Sequence, residues 1–246
     1  MKKGIYILPN SITLCGMSCG FYSILASFKG HFEIAIWGIL IANIFDGLDG
    51  WIARMTNSST RFGIQLDSLS DLVAFGIAPS VLVYSWGFQH FTGLASRIGW
   101  GVSFFFVMCG ALRLARYNVQ MDTAESKAFT GMPIPAAATI ASSFVLFSLE
   151  FCDDVFFKNY IAMALVFVLG LLMVSTIRYH GLKELNLKSR KSFWFLVLFV
   201  LLFFVIYINP PAVIFSFSMI YMLWGISEYG YFFYKRRKKA APEQAL

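Results

Sequence analysis

The sequence predicts an all-α, polytopic membrane helical bundle of about eight transmembrane helices. Three observations carry that prediction. Of the 246 residues, 58% are hydrophobic and only 13% are charged, with mean hydropathy +0.68; a soluble domain carries about 25% charged residues. Apolar segments long enough to cross about 30 Å of hydrocarbon recur between short polar breaks. The basic residues fall on one set of those breaks: 17 of the 20 lysines and arginines lie there, and Lys29, Arg97 and Lys158 lie on the other.

In chain order the predicted helices are 6–28, 32–53, 62–88, 98–117, 133–150, 159–177, 193–208 and 212–234. The first is longer than the apolar core of a signal peptide, about 7–15 residues, and no clear A-x-A site follows, so it reads as a retained helix. Asn209, Pro210 and Pro211 divide the last two. Helices satisfy their own backbone in lipid, and no segment alternates like a barrel strand. By the basic asymmetry, both termini and the loops around 54–61, 113–132 and 178–191 face the cytoplasm. The tail "YKRRKKAAPEQAL" reads as a membrane-surface anchor. The four cysteines form no CxxC pair and no His/Cys cluster, which argues against a zinc site and a disulfide framework. The histidines fall in predicted loops and read as surface residues.

Against this apolar background, residues 46–71 read "DGLDGWIARMTNSSTRFGIQLDSLSD". Asp46 and Asp49 sit three apart near the end of the second helix; Asp67 and Asp71 sit four apart near the start of the third. Each spacing puts its pair on one helical face. The helices are consecutive and antiparallel, so all four carboxylates can meet at one depth, about 12–14 Å from the loop at 1.5 Å per residue. Four anions in a water-poor site need protons or cations. All-oxygen ligation suits hard ions such as Mg²⁺, Mn²⁺ or Ca²⁺, and four carboxylates form a cradle for two divalent ions that clamp phosphoryl groups. Gly50 and Ala53 share the stripe of Asp46 and Asp49 and leave room for a bulky ligand. Arg54 stands at the helix end, where it can pair with phosphate. A structural reading, in which the acids are satisfied internally and the small residues only permit close packing, does not account for four intramembrane carboxylates at this spacing.

The pattern Asp46-x₂-Asp49-Gly50-x₂-Ala53-Arg54-x₈-Gly63-x₃-Asp67-x₃-Asp71 resembles the signature of the CDP-alcohol phosphotransferases, membrane enzymes of phospholipid biosynthesis, with no departure at any signature position. The resemblance implies a six-helix core over 1–180, two additional helices over 181–235 and a basic tail over 236–246. It implies a two-metal site holding Mg²⁺ or Mn²⁺: Asp46 and Asp67 bridge both ions, Asp49 completes one and Asp71 the other, with Asp71 also the general base. It implies that Gly50, Ala53, Arg54, Thr60 and Gly63, with Asn10 and Thr13 of "PNSIT", hold the CDP moiety. Metal would neutralise the pyrophosphate and Asp71 would take the proton of an acceptor hydroxyl.

Residues 111–139, with "AFGIAPSVLVY" (74–84), resemble the serine-using branch of that family, which implies CDP-diacylglycerol and L-serine as substrates. Arg113, Arg116 and Asn118 lie at a helix end toward the same cleft, and the two guanidiniums are suited to the serine carboxylate or a lipid phosphate. Topology signalling and headgroup contact explain the same arginines. "GMPIP" (131–135) reads as a rigid loop closing the site or as helix-entry punctuation. Glycerol phosphate, inositol phosphate or choline remain alternative acceptors. A divalent-cation transporter is the reading from another class, but it predicts acids along a path across the membrane, and the predicted helices 4–7 offer no intramembrane acid, Glu150 standing at the very end of the fifth. The resemblance also implies a homodimer, and the whole reads as an integral protein of the bacterial inner membrane with its site on the cytoplasmic side.

Overall fold

The computed structural model describes residues 7–56, 60–122, 131–151, 155–177 and 209–240. Seven helices cover most of them: α1 (Ile7–Phe28), α2 (Phe32–Met55), α3 (Arg61–Trp86), α4 (Gly93–Asp122), α5 (Ile134–Phe151), α6 (Val155–Val174) and α7 (Pro210–Ala240). No strand occurs among the described residues. Six of the seven are long and apolar enough to cross a membrane, which makes this an integral membrane protein. The exception is α2, which carries Glu33, Asp46, Asp49 and Arg54. Its outer face nevertheless reads Ile34, Trp37, Ile41, Ile44, Leu48 and Trp51, all exposed and spaced alternately three and four apart. That is an unbroken apolar stripe, so average hydropathy understates a helix that turns Asp46 and Asp49 inward and leaves Glu33 and Arg54 exposed near its two ends. The helix expected at 193–208 lies outside the described residues, as do the loop around 178–191 and the end of the tail.

Local chemistry sets the ends of these helices. Gly30, at φ +76°, ends α1. The His31 N–H donates to the Ala26 carbonyl at 2.9 Å and the Gly30 N–H to the Ser27 carbonyl at 3.1 Å, a Schellman closure that returns the chain directly into α2. Asn209 caps α7, its Oδ1 accepting from the Ala212 N–H at 3.1 Å. Pro210 and Pro211 open that helix, where a missing N–H costs nothing.

Small residues bring the first three helices together. A Cβ on Gly38 of α2 would lie 3.1 Å from the Cys19 carbonyl of α1, and one on Gly20 would lie 2.5 Å from the Ala74 Cα of α3. Without bulky side chains between them, the backbones pack at the distance that the small-xxx-small pattern Gly16–Gly20 permits. α3 is not uniform. Leu72–Ile77 form a π-helical turn directly after Asp71, closed by the Ala78 N–H donating to the Val73 carbonyl. Pro79 follows; it lacks an N–H and crowds the carbonyl four residues back, and the widened turn accommodates both effects.

α5 is the central helix, with Ala137, Ala138, Ala141, Ser142 and Ser143 all buried and α2, α3, α6 and α7 around it. The "GMPIP" segment that leads into it is clamped to the end of α6. The Gly131 N–H donates to the Ile177 carbonyl at 2.8 Å and the Met132 N–H to the Leu172 carbonyl at 3.0 Å. Gly131 is at φ +86°, and a Cβ there would overlap the Met173 carbonyl.

Candidate metal centre and substrate cleft

α2 contributes Asp46 and Asp49, α3 contributes Asp67 and Asp71, and all four line one cleft of about 180 Å³ with Thr13, Gly16, Ala42, Ser70, Ala74 and Phe75. Carboxylate oxygens of Asp46, Asp49 and Asp67 lie within 4.8 Å of one another. Asp71 is not in that group. Four residues on from Asp67, it stands about 6 Å further along the helix axis. The cleft therefore holds three clustered carboxylates and a fourth beside them. The charges of Asp46, Asp67, Arg113 and Asp49 all act on Asp71.

Electrostatics limit what this cluster can be. At 4.8 Å and an effective dielectric of about 20, each pair of ionised carboxylates repels by about 3 kcal/mol. Three such pairs rival the net stability of a domain, so protons or a cation must offset them. The donor set is all oxygen, which fits a hard divalent ion. A cleft lined by four carboxylates and by the small residues Thr13, Gly16, Ala42, Ser70 and Ala74 suits hard ions and the phosphate groups they bind.

The walls are knit across three helices. The Thr13 hydroxyl of α1 lies 2.6 Å from Asp49 Oδ2, and the Ser70 hydroxyl of α3 donates to the Thr13 carbonyl at 3.1 Å. Thr60 is the N-cap of α3, its Oγ1 accepting from the Gly63 N–H at 3.0 Å. A Cβ on Gly63 would lie 3.2 Å from both Asn10 Oδ1 and Thr60 Oγ1, so the absence of a side chain lets Asn10, Thr60 and Gly63 meet. Arg54 folds back over Gly50, its Nη1 3.6 Å from where a Gly50 Cβ would stand. Ala53 is half-buried on the same helix. Neither Gly50 nor Ala53 lines the cleft; the small residues that do are Gly16, Ala42, Ser70 and Ala74.

The three α4 residues part company. Arg113 is half-buried, its Nε is buried without a hydrogen-bond partner, and Asp71, Tyr117, Tyr221 and Asp46 are its charge neighbours. Arg116 is exposed and donates to the Val174 carbonyl at the end of α6 at 3.3 Å. Asn118 hydrogen-bonds Ser68, next to Asp67, at 3.0 Å. The i, i+3 spacing places the two arginines on neighbouring positions of one face, but their long side chains diverge, so they form no guanidinium pair.

The sequence reading missed Ser70 and Tyr221. Ser70 sits beside Asp71 and reads as a small polar filler until α1 is packed against it. Tyr221 belongs to α7, some 150 residues from Asp71 in the chain, and no spacing rule joins them.

Comparison with known proteins agrees with this geometry. The family model described as CDP-alcohol phosphatidyltransferase matches residues 6–172, which contain every cleft residue. A CDP-diacylglycerol–serine O-phosphatidyltransferase of Helicobacter pylori is 36% identical over 230 residues, covering 90% of each chain. One of Methanocaldococcus jannaschii is 31% identical over 228 residues, covering 92% of this chain and 96% of the relative. An archaetidylserine synthase of Methanothermobacter thermautotrophicus is 38% identical over 176 residues, covering 70% of this chain and 69% of the relative. A membrane bundle whose α2 and α3 bring their aspartates into one cleft, matched from residue 6 to residue 172, belongs to the CDP-alcohol phosphatidyltransferase family.

Proposed function

We propose that the protein transfers the phosphatidyl group of CDP-diacylglycerol to the hydroxyl of L-serine, giving phosphatidylserine and CMP. The observation that carries the reaction class is the meeting of Asp46, Asp49 and Asp67 within 4.8 Å, with Asp71 on the same wall. The serine assignment draws on relatives that align over about nine-tenths of both chains and bear that activity in their names.

In this reading Asp46, Asp49, Asp67 and Asp71 hold Mg²⁺ or Mn²⁺, two ions in all. Bound there, divalent metal would neutralise the pyrophosphate and the CMP leaving group. Asn10, Thr60 and Gly63 on one side, and Gly50, Ala53 and Arg54 on the other, receive the CDP moiety. The serine oxygen forms its bond to the phosphatidyl phosphorus, the bond from that phosphorus to the CMP oxygen breaks, and the hydroxyl proton passes to Asp71. Arg113 provides a fixed positive charge beside Asp71 for the serine carboxylate or the lipid phosphate. Residues 1–180 form the catalytic core, 181–235 the added helices and 236–246 the surface tail. The site opens to the cytoplasm, and the protein is a homodimer.

The test is CMP release by purified protein in detergent with CDP-diacylglycerol and Mn²⁺, offering serine, glycerol phosphate, inositol phosphate and choline in turn. Release that depends on serine is expected, and chelation should abolish it. Release with another alcohol alone overturns the acceptor; no release with any overturns the reaction.

A further inference from the structure

We infer that Thr13 is a positioning residue for Asp49, fixing its carboxylate for a divalent cation, rather than a contact to the nucleotide. The inference rests on the metal reading above. Three observations carry it. Thr13, Asp49 and Ser70 are 6%, 5% and 5% exposed, so all three lie in the inner wall. The Thr13 hydroxyl has one proton and two acceptors in reach: Asp49 Oδ2 at 2.6 Å and the Pro9 carbonyl, one turn back, at 3.1 Å. An ionised carboxylate at the shorter distance is the stronger acceptor, so the proton points at Asp49. Finally, the Ser70 hydroxyl holds the Thr13 carbonyl at 3.1 Å. α1 thus joins a carboxylate of α2 to the residue preceding Asp71 on α3.

A hydroxyl engaged this way sets the plane of the carboxylate before any ligand arrives. Partners of this kind govern metal affinity about as strongly as weak ligands do, by about 10–100-fold. The arrangement also explains why α1, which carries no acid, lines a cleft of acids.

The experiment measures Mn²⁺ binding to the full-length protein in detergent, without substrate, by the electron spin resonance signal of free Mn²⁺ and by the Mn²⁺-dependent rise in Tm. Thr13→Val should weaken Mn²⁺ binding about 10–100-fold and raise the Mn²⁺ needed for half-maximal rate in parallel. The KM for CDP-diacylglycerol at saturating Mn²⁺ should stay within about threefold, and Thr13→Ser should restore binding. Unchanged Mn²⁺ binding with a raised KM for CDP-diacylglycerol overturns the inference and makes Thr13 a nucleotide contact. Equal losses in Thr13→Val and Thr13→Ser also overturn it, because packing alone then explains them. Should Thr13→Val not fold, Ser70→Ala keeps both groups and removes the tether; it should weaken Mn²⁺ binding several-fold, and no change overturns the inference. A wild-type protein that binds no Mn²⁺ overturns the metal reading itself.

Discussion

The two ends of α3 are built on opposite principles. At the Asp67–Asp71 end, carboxylates crowd a cleft and repel one another. At the Trp86 end, about 39 Å along the helix, Asn159 and Lys158 of α6 reach partners within the fold. There Asn159 Nδ2 donates to the Gly87 carbonyl at 3.3 Å, Lys158 Nζ sits 5.6 Å over the Trp86 ring, and Phe91 packs on Tyr160 with centroids 5.1 Å apart. Both ends pair buried polar groups with apolar surroundings. Only the first gathers several like charges in one place. Buried polarity that the fold satisfies serves stability, whereas a concentration of like charge marks a candidate functional site.

That contrast can be broken most sharply at Asp71. Asp71→Asn should cut serine-dependent CMP release by about 10²–10⁴-fold while the Tm in detergent holds, since it removes a proton acceptor and one repelling charge. A variant of ordinary activity would show that the general base lies elsewhere. Gly20→Val should damage both stability and activity. Its Cβ would meet the Ala74 Cα at 2.5 Å, wedging α1 from the π turn of α3. Overpacking of this kind costs about 1–3 kcal/mol, and a shift of about 1 Å at the site costs about 10²-fold in rate. Thermal melts and kcat/KM measured on one preparation would separate the two effects. Full activity in Gly20→Val would mean that the α1–α3 contact does not set the cleft.

At the other end the sign of the contrast reverses. Asn159→Ala leaves the buried Gly87 carbonyl without its side-chain donor, so a loss of about 1–3 kcal/mol should appear in the melt, with kcat unchanged per folded molecule. Lys158→Ala should cost least, about 0.5–1 kcal/mol, again in the melt alone. A fall in kcat from either variant would show that the two ends are coupled through α3.

Much of this molecule was legible in its sequence. Helix placement followed from apolar length, and observed ends at Phe28 and Trp86 lie within two residues of those expected. Asn209-Pro210-Pro211 marked the start of α7 because a cap and two donorless residues can do little else. The spacing Asp46, Asp49, Asp67, Asp71 placed the carboxylates in one cleft, since consecutive antiparallel helices must bring those positions to one end. Other features were not legible. The family resemblance implies nucleotide contact for Thr60 and Gly63, and the fold also engages them in capping α3. Arg113 and Arg116 share a face by spacing, yet one turns toward Asp71 and the other to the Val174 carbonyl, because long side chains follow the charges and carbonyls that neighbouring helices offer.

What the sequence determined by itself is what periodicity and chain order control: an all-helical membrane bundle, the inward faces of α2 and α3, and the convergence of four aspartates. What only the tertiary structure decided is how that cluster is divided and held: three carboxylates within 4.8 Å with Asp71 one turn beyond, Thr13 engaged with Asp49, Ser70 joined to α1, and Tyr221 of α7 near Arg113. The reason is one of range. Spacing along a helix fixes direction within one element, whereas contacts across tens to a hundred residues depend on how closely backbones approach. Here that approach is set by Gly16, Gly20 and Gly38, residues whose contribution is the side chain they lack.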